Sequence, residues 1–331
     1  MKKEEPSVHW SRKKEQTAGY WQLRFLLKLF RIFPPVILRV LSFPVGFFYF
    51  LFSKSGRLES KRFLQKAAPF ADNPQLEKKC RSPFAPLRHI ISFSLTLIQK
   101  LETWSGIFPF ENICFHDDDS AELIQSLETG KGAFLIISHL GNAELLRGLA
   151  SFNRTGVSRK VPLTLIGDMN VTGNFTRMLN ELNPQSSLDI INAKEMGPDT
   201  VVLLEERLAA GEMVTIAGDR TSGNETGTIL KIPFLGEEAP FSNGIFYLAV
   251  LVNVPVYFIF AIRQGDLSIK PKYDMYVHKN DLFPANTAER ASRKERYQQS
   301  SRMACSYAAL LERYTKRHPF QWYNFFNFWA K

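Results

Sequence analysis

Cysteine is scarce in this chain and badly spaced for a covalent framework. Cys80, Cys114 and Cys305 are an odd number among 331 residues, and no two lie close together. That argues against a disulfide scaffold or a zinc ribbon and suits a reducing compartment. Acidic residues are also in deficit, 32 Asp and Glu against 42 Lys and Arg, which leaves a formal charge of +10 and excludes an acidic disordered tail. There is no G-x-G-x-x-G, and Gly130-Lys131-Gly132 lacks the spacing and the following Ser or Thr of a P-loop, so these read as turn glycines. No RNP-type motif, zinc finger or helix-turn-helix turns the positive charge into base recognition, and no nucleic-acid partner is expected. Internal repeats and low-complexity linkers are missing as well.

What the chain has in quantity is apolar and aromatic. Hydrophobic residues make up 45%, with 28 Phe beside 10 Tyr and 5 Trp, enough for a sizeable core and some sticky surface. A single core stops growing at about 250–300 residues, so one large domain with an attached helical segment suits the length. Leu23 to Phe52 is strongly apolar, with Arg24, Lys28, Arg31 and Arg39 set into it, and Lys54, Arg57, Lys61, Arg62 and Lys66 follow. A spanning helix needs about 20 mostly apolar residues. Ile32 to Phe52 is long enough, yet it contains Arg39 and three prolines. Basic residues on both flanks give no inside–outside asymmetry, which favours helices lying in or dipping into the interface. A pair of buried amphipathic helices in a soluble fold is the alternative. A signal peptide fits poorly, because the run starts late and no small-residue cleavage site follows it.

Up to about Gln99 the chain reads as helical, broken by Pro34/Pro35, Pro44, Pro74 and Pro83/Pro86. Strand-type runs follow at Ala133–Ser138, Pro162–Gly167, Leu188–Asn192, Met213–Ala217 and Pro255–Ile262. Helical patterning fills the gaps at Glu144–Phe152, Asn174–Leu182, Thr200–Ala210 and Gly244–Val252. This alternation predicts an α/β fold, a mostly parallel central sheet flanked by helices, preceded by an N-terminal helical membrane-associating segment. The expected division is 1–100 for that segment and 101–331 for the α/β domain. A long packing helix is expected from about Ala288 to Arg317. The aromatic tail from His318 to Ala330 should fold back on the core or touch lipid.

The sharpest local feature is Ile136-Ile-Ser-His-Leu-Gly-Asn-Ala-Glu144, in which His139 ends an apolar strand and Glu144 follows five residues later. On one continuous helix the two side chains would point apart. At a strand–turn–helix junction Gly141 can take the tight turn, Asn142 can cap the helix, and Glu144 falls in the first helical turn, so the pair can meet. A carboxylate on one imidazole nitrogen fixes the tautomer and leaves the other free to take a proton from a hydroxyl. The same spacing also suits a buried structural histidine. A second polar cluster, Gly218-Asp219-Arg220 through Gly227, follows the Met213–Ala217 strand. Ligands gather at the carboxyl ends of parallel strands, so both clusters are expected to line one crevice. Arg220 is then a candidate for holding a phosphate or a carbonyl oxygen, with Asp219 orienting it.

Ser138-His139-Leu-Gly-Asn-Ala-Glu144 resembles the H-x4-D/E motif of the lipid A biosynthesis acyltransferases, the lauroyl and myristoyl transferases of Gram-negative envelopes. The likeness continues at Gly218-Asp219-Arg220, at Pro233-Phe234-Leu235-Gly236 through Gly244, at Leu248-Ala249 with the strand from Pro255 to Arg263, and at His318-Pro-Phe-Gln-Trp322. It runs in order over about residues 10 to 329. Glu stands where the related glycerol-phosphate acyltransferases carry Asp. Asp219-Arg220 replaces a frequent Asp-Gln, and the Gln321–Trp329 ending is less basic; with His9-Trp10 and Glu15 these features are similar to the acyltransferases of aryl-polyene-type lipid clusters.

The resemblance implies a glycerol-phosphate-acyltransferase-like fold and an O-acyltransferase. Such an enzyme moves a fatty acyl chain from acyl carrier protein or acyl-CoA to a hydroxyl of a membrane lipid or glycolipid. It implies His139 and Glu144 as the catalytic pair, Asn142, Asp219 and Arg220 as substrate-binding residues, and no metal or cofactor. It also implies attachment, peripheral or by a single anchor, to the cytoplasmic face of the bacterial inner membrane. The alternatives are a non-catalytic membrane-lipid-binding protein of the same fold and, more distantly, a glycosyltransferase. His116-Asp-Asp-Asp119 fits a helix cap and first-turn charge better than a metal site. His89 fits a satisfied core histidine, and Cys114 has no partner at metal-ligand spacing.

Overall fold

The computed structural model describes residues 28–29, 32–116, 118–167, 189–220, 229–283 and 291–329. The expected helix at 174–182, the start of the apolar segment at 23–27, residue 188, the loop at 221–227 and the start of the long helix at 288–290 lie outside the described residues.

The short apolar runs become the parallel heart of a seven-stranded sheet. Its strands are β1 (Ile113–Phe115), β2 (Ala133–Gly141), β3 (Leu163–Gly167), β4 (Asp189–Asn192), β5 (Met213–Ala217), β8 (Val256–Arg263) and β9 (Tyr273–Lys279), in the order β1-β9-β8-β2-β5-β3-β4. Neighbours among β4, β3, β5, β2 and β8 pair in parallel, β9 runs antiparallel to β8, and β1 runs parallel to β9. Continuous runs such as Val256–Arg263 suit strands covered on both faces, and every residue of β8 is buried.

The helices supply the cover. α5 (Asp118–Glu128) and α6 (Glu144–Ser151) bring Leu123, Leu127, Leu145 and Leu149 onto Leu135, Ile137, Tyr257 and Ile259 on one face. On the other, α8 (Asn243–Leu251) and α9 (Arg293–Arg317) bring Phe246, Met303, Tyr307 and Leu311 onto Phe134, Ile136, Phe258 and Phe260. α7 (Pro198–Ala209) adds Leu204 and Leu208 to that second core. α9 starts at a capping box, the Ser292 hydroxyl accepting from the Glu295 amide and the Glu295 carboxylate from Ser292.

Four strands were not expected, among them β1, only three residues long. β9 carries a period-two pattern, with Tyr273, Met275 and Val277 inward, which was legible but masked by its polar alternates. β6 (Ile229–Phe234) and β7 (Glu237–Ser242) form an antiparallel hairpin in a stretch where no strand is expected. Pro233 and Pro240 argue against strands in a wide sheet, but a two-stranded ribbon has two free edges that tolerate them. Leu235 and Gly236 make its two-residue turn with φ of +48° and +79°.

The N-terminal helices are α1 (Pro35–Phe52), α2 (Lys54–Ala67), α3 (Pro74–Arg81) and α4 (Ala85–Trp104). Pro44 lies inside α1 instead of ending it. α1 is clamped along α4. Arg39 makes a buried two-pronged ion pair with Glu102 at 2.7 and 2.8 Å, and Gly46 lets the backbones close, since a Cβ there would lie 3.1 Å from Ile91. The outward face of α1 stays bare: Val36, Val40, Val45, Phe48 and Phe52 are 50 to 83% exposed. α1 is long and apolar enough, by length and composition, to cross a membrane. Arg57 of α2 donates to the carbonyls of Phe50 and Leu51, satisfying the end of α1.

Candidate active site

His139 is aimed by an irregularity in β2. Between Ile137 and Gly141 the strand advances four residues while its partner advances two, from Ile259 to Ala261. The surplus bulges out, and a bulge re-aims a side chain. His139 therefore does not end the strand. β2 continues to Gly141, whose φ of +75° and absent Cβ allow contact with β8; a Cβ would lie 1.9 Å from the Ala261 carbonyl oxygen.

The carboxylate on His139 comes from the next strand. β5 ends at Ala217 beside β2, and Asp219 just beyond it accepts from both the His139 backbone amide and Nδ1, each at 2.8 Å. Asp219 is fully enclosed and also accepts from Trp322 Nε1 at 2.9 Å. The C-terminal tail is thereby part of the site: Trp322 bridges to Leu140, and the Tyr323 amide donates to the His139 carbonyl. Arg220 Nε lies 3.3 Å from the same His139 Nδ1, and its guanidinium sits 4.6 Å from the Phe326 ring. One nitrogen cannot both donate to Asp219 and accept from Arg220. The shorter contact to an ionised carboxylate is the stronger, so the proton belongs on Nδ1 and Nε2 is the basic nitrogen.

Glu144 stands elsewhere than the spacing suggests. Its Oε2 accepts from Trp104 Nε1 at 3.0 Å and from Arg147 Nη1 at 2.8 Å, and among the described residues it shares no hydrogen bond with His139. The first turn of α6 faces the end of α4, so the carboxylate turns to Trp104 and to Arg147 one turn on. Asn142 does not cap α6. The cap position is Ala143, without a side-chain bond, and among the described residues the fully buried Asn142 amide has neither its oxygen nor its nitrogen partnered. His139, Asp219 and Arg220 thus meet at the carboxyl ends of β2 and β5, while Asn142 follows three residues on from His139 and Glu144 is turned toward α4.

Charge sets the protonation. Burial lowers the pKa of His139, the Arg220 cation lowers it further, and Asp219 only partly opposes them, so the imidazole is neutral at pH 7. Burial would raise Asp219, but His139, Arg220 and the Trp322 hydrogen bond outweigh it and bring the carboxyl down to about 2. Burial brings Arg220 down to about 10, which still leaves it a cation.

Sequence reasoning missed four contributors. Lys100 and Trp104 lie one turn apart on α4, and nothing in their spacing marks them. Lys100 has its pKa lowered by burial against the opposing pull of Glu144. Among the described residues Arg147 has its ion pair with Glu144 and a ring contact with Trp104, its buried Nε and Nη2 finding no partner there. Trp322 belongs to the His318–Trp322 block already noted, but its role depends on the tail's path. His89 is the core histidine expected. It is fully buried, with Nδ1 on the Ser60 hydroxyl at 2.9 Å and Nε2 on the Trp322 carbonyl at 3.1 Å.

Residues 5–331 match a family described as bacterial lipid A biosynthesis acyltransferase. No curated protein matches the chain. With nearly its whole length matched, the chain belongs to the bacterial lipid A biosynthesis acyltransferase family.

Proposed function

We propose that this acyltransferase moves a fatty acyl chain from a thioester donor, acyl carrier protein or acyl-CoA, to a hydroxyl of a membrane lipid or glycolipid, with His139 as general base. The observation that carries this reading is the 2.8 Å contact between His139 Nδ1 and Asp219, which leaves Nε2 the basic nitrogen of a half-exposed imidazole. Nε2 takes the proton of the acceptor hydroxyl as its oxygen attacks the thioester carbonyl carbon. The tetrahedral oxyanion is met by the amides at the start of α6, by the unpartnered Asn142 amide and by Arg220. Collapse expels the thiolate, which takes the proton back from the imidazolium. Asp219 steadies that imidazolium and so fills the orienting role that the spacing suggested for Glu144. Glu144 anchors Arg147, and the surrounding cations suit an anionic substrate.

In this reading residues 1–100 form the membrane-associating region and 101–331 the acyltransferase domain, with α4 crossing the boundary to bring Lys100 and Trp104 to the site. The bare face of α1 and its basic flanks support attachment to the cytoplasmic face of the inner membrane. The test incubates purified protein with acyl carrier thioester and extracted lipids. His139→Ala should cut transfer by roughly 10²–10⁴, and unchanged transfer sinks the reading. Asp219→Asn should cost more kcat than Glu144→Gln; the reverse order returns the orienting role to Glu144.

A further inference from the structure

At the far edge of the sheet, three side chains of different chemistry meet. Cys114 of β1 and His116, one residue past its end, are two positions apart and so share a face, and β9 pairs in register, Cys114 opposite Asp274. The ladder continues one step as the His116 amide donates to the Met275 carbonyl. One ligand atom from each of Cys114, His116 and Asp274 lies within 4.8 Å of the others, with His116 Nε2 2.6 Å from Asp274 Oδ1. We propose that Cys114, His116 and Asp274 form a surface site for a borderline-soft divalent cation such as Zn²⁺, apart from the acyl-transfer crevice.

The donor set decides the class of ion. A thiolate, an imidazole and a carboxylate match Zn²⁺ or Co²⁺ and are a poor match for Mg²⁺ or Ca²⁺, which prefer oxygen alone. His116 and Asp274 already meet, and rotation of the exposed Cys114 side chain would bring its Sγ in to close the site. Their surroundings hold the ligands in place. Gln264 Nε2 donates to Asp274 Oδ1 at 2.8 Å, and the Tyr276 ring stacks on His116 at 5.1 Å and 20°. Outer partners of this kind orient metal ligands. Three protein ligands leave a fourth position for water or for a donor from another molecule. Cys114 and Asp274 are 160 positions apart in sequence, so no spacing rule could have joined them.

The test strips the full-length protein with chelator and titrates it with Co²⁺. The expected result is one equivalent bound with a thiolate-to-cobalt charge-transfer band that Zn²⁺ displaces. Cys114→Ser and, separately, His116→Ala should abolish that band, whereas Cys305→Ser should keep it and Gln264→Ala should weaken binding roughly tenfold. All four positions lie outside the acyl-transfer crevice, so thermal midpoints and transfer activity serve as controls for folding. Absence of the band, or a band that survives Cys114→Ser, overturns the site whatever becomes of the acyl-transfer reading.

Discussion

His139 lies between a cation and an anion, and its titration reports both. In the proposed role of general base His139 must be neutral, so transfer should fall off on the acid side at a pH below 6.5, the ordinary histidine value, because burial and Arg220 depress the imidazole. Arg220→Met removes one depressing charge and leaves Asp219 in place. The acid limb of kcat/KM should then move to higher pH, and an unmoved limb would detach Arg220 from the base. His89 gives a stability counterpart. Its pKa is lowered to about 4 by burial, while the unfolded chain takes up the proton below 6.5. The unfolded state therefore binds more protons between those values, so this contribution to stability is full above pH 6.5 and is lost as pH falls toward 4. Denaturant unfolding at pH 7.5 and 5.0 should show about 2 kcal/mol lost on account of His89. His89→Gln should lower stability at pH 7.5 but show that much less acid loss; equal losses in both proteins would refute the assignment.

At the scale of elements, the C-terminal tail ties β2, the strand of His139, to the helical region. Trp322 packs its ring centroid 5.1 Å from both Phe63 of α2 and Phe234 of the hairpin, while its indole N–H holds Asp219. Trp322→Phe keeps much of this packing and removes the hydrogen bond to a buried carboxylate, worth about 1.5–3 kcal/mol. If that loss is felt in the transition state, kcat should drop about ten- to a hundredfold with KM little changed. A rise in KM alone would show that the tail shapes binding and leaves the base untouched. The deep bulge of β2, the 2.8 Å contacts and the tail bridge make one unit, so truncation before Trp322 should be worse than any single change within it.

At the scale of the molecule, the +10 charge and the bare face of α1 address the same kind of partner. Lys54 and Lys61 of α2, which follows α1, are exposed, and Lys28 precedes α1. Such an arrangement combines apolar insertion with attraction to anionic headgroups. Flotation with vesicles containing phosphatidylglycerol should recover the protein, and salt well above 0.1 M should weaken but not abolish recovery, since screening reaches only the electrostatic part. Val45→Glu with Phe48→Glu should abolish it at every salt concentration. Recovery that vanishes with salt alone would leave α1 without a lipid role.

The sequence by itself determined the alternation of apolar strands and amphipathic helices, the apolar N-terminal helix, and that His139, Asp219 and Arg220 meet at the ends of neighbouring strands. Each of these follows from local composition, periodicity and the rule that parallel strands gather ligands at their carboxyl ends. Only the tertiary structure decided which carboxylate serves His139. Glu144 is five residues away and Asp219 is eighty, but the strand pairing of β2 with β5 and the bulge at His139 turn the imidazole to the distant one. Trp104, Lys100 and Trp322 entered the site, and Cys114 found Asp274, for the same reason. Sheet register and helix docking set distances between side chains far apart in the chain, and spacing along a sequence carries no record of them.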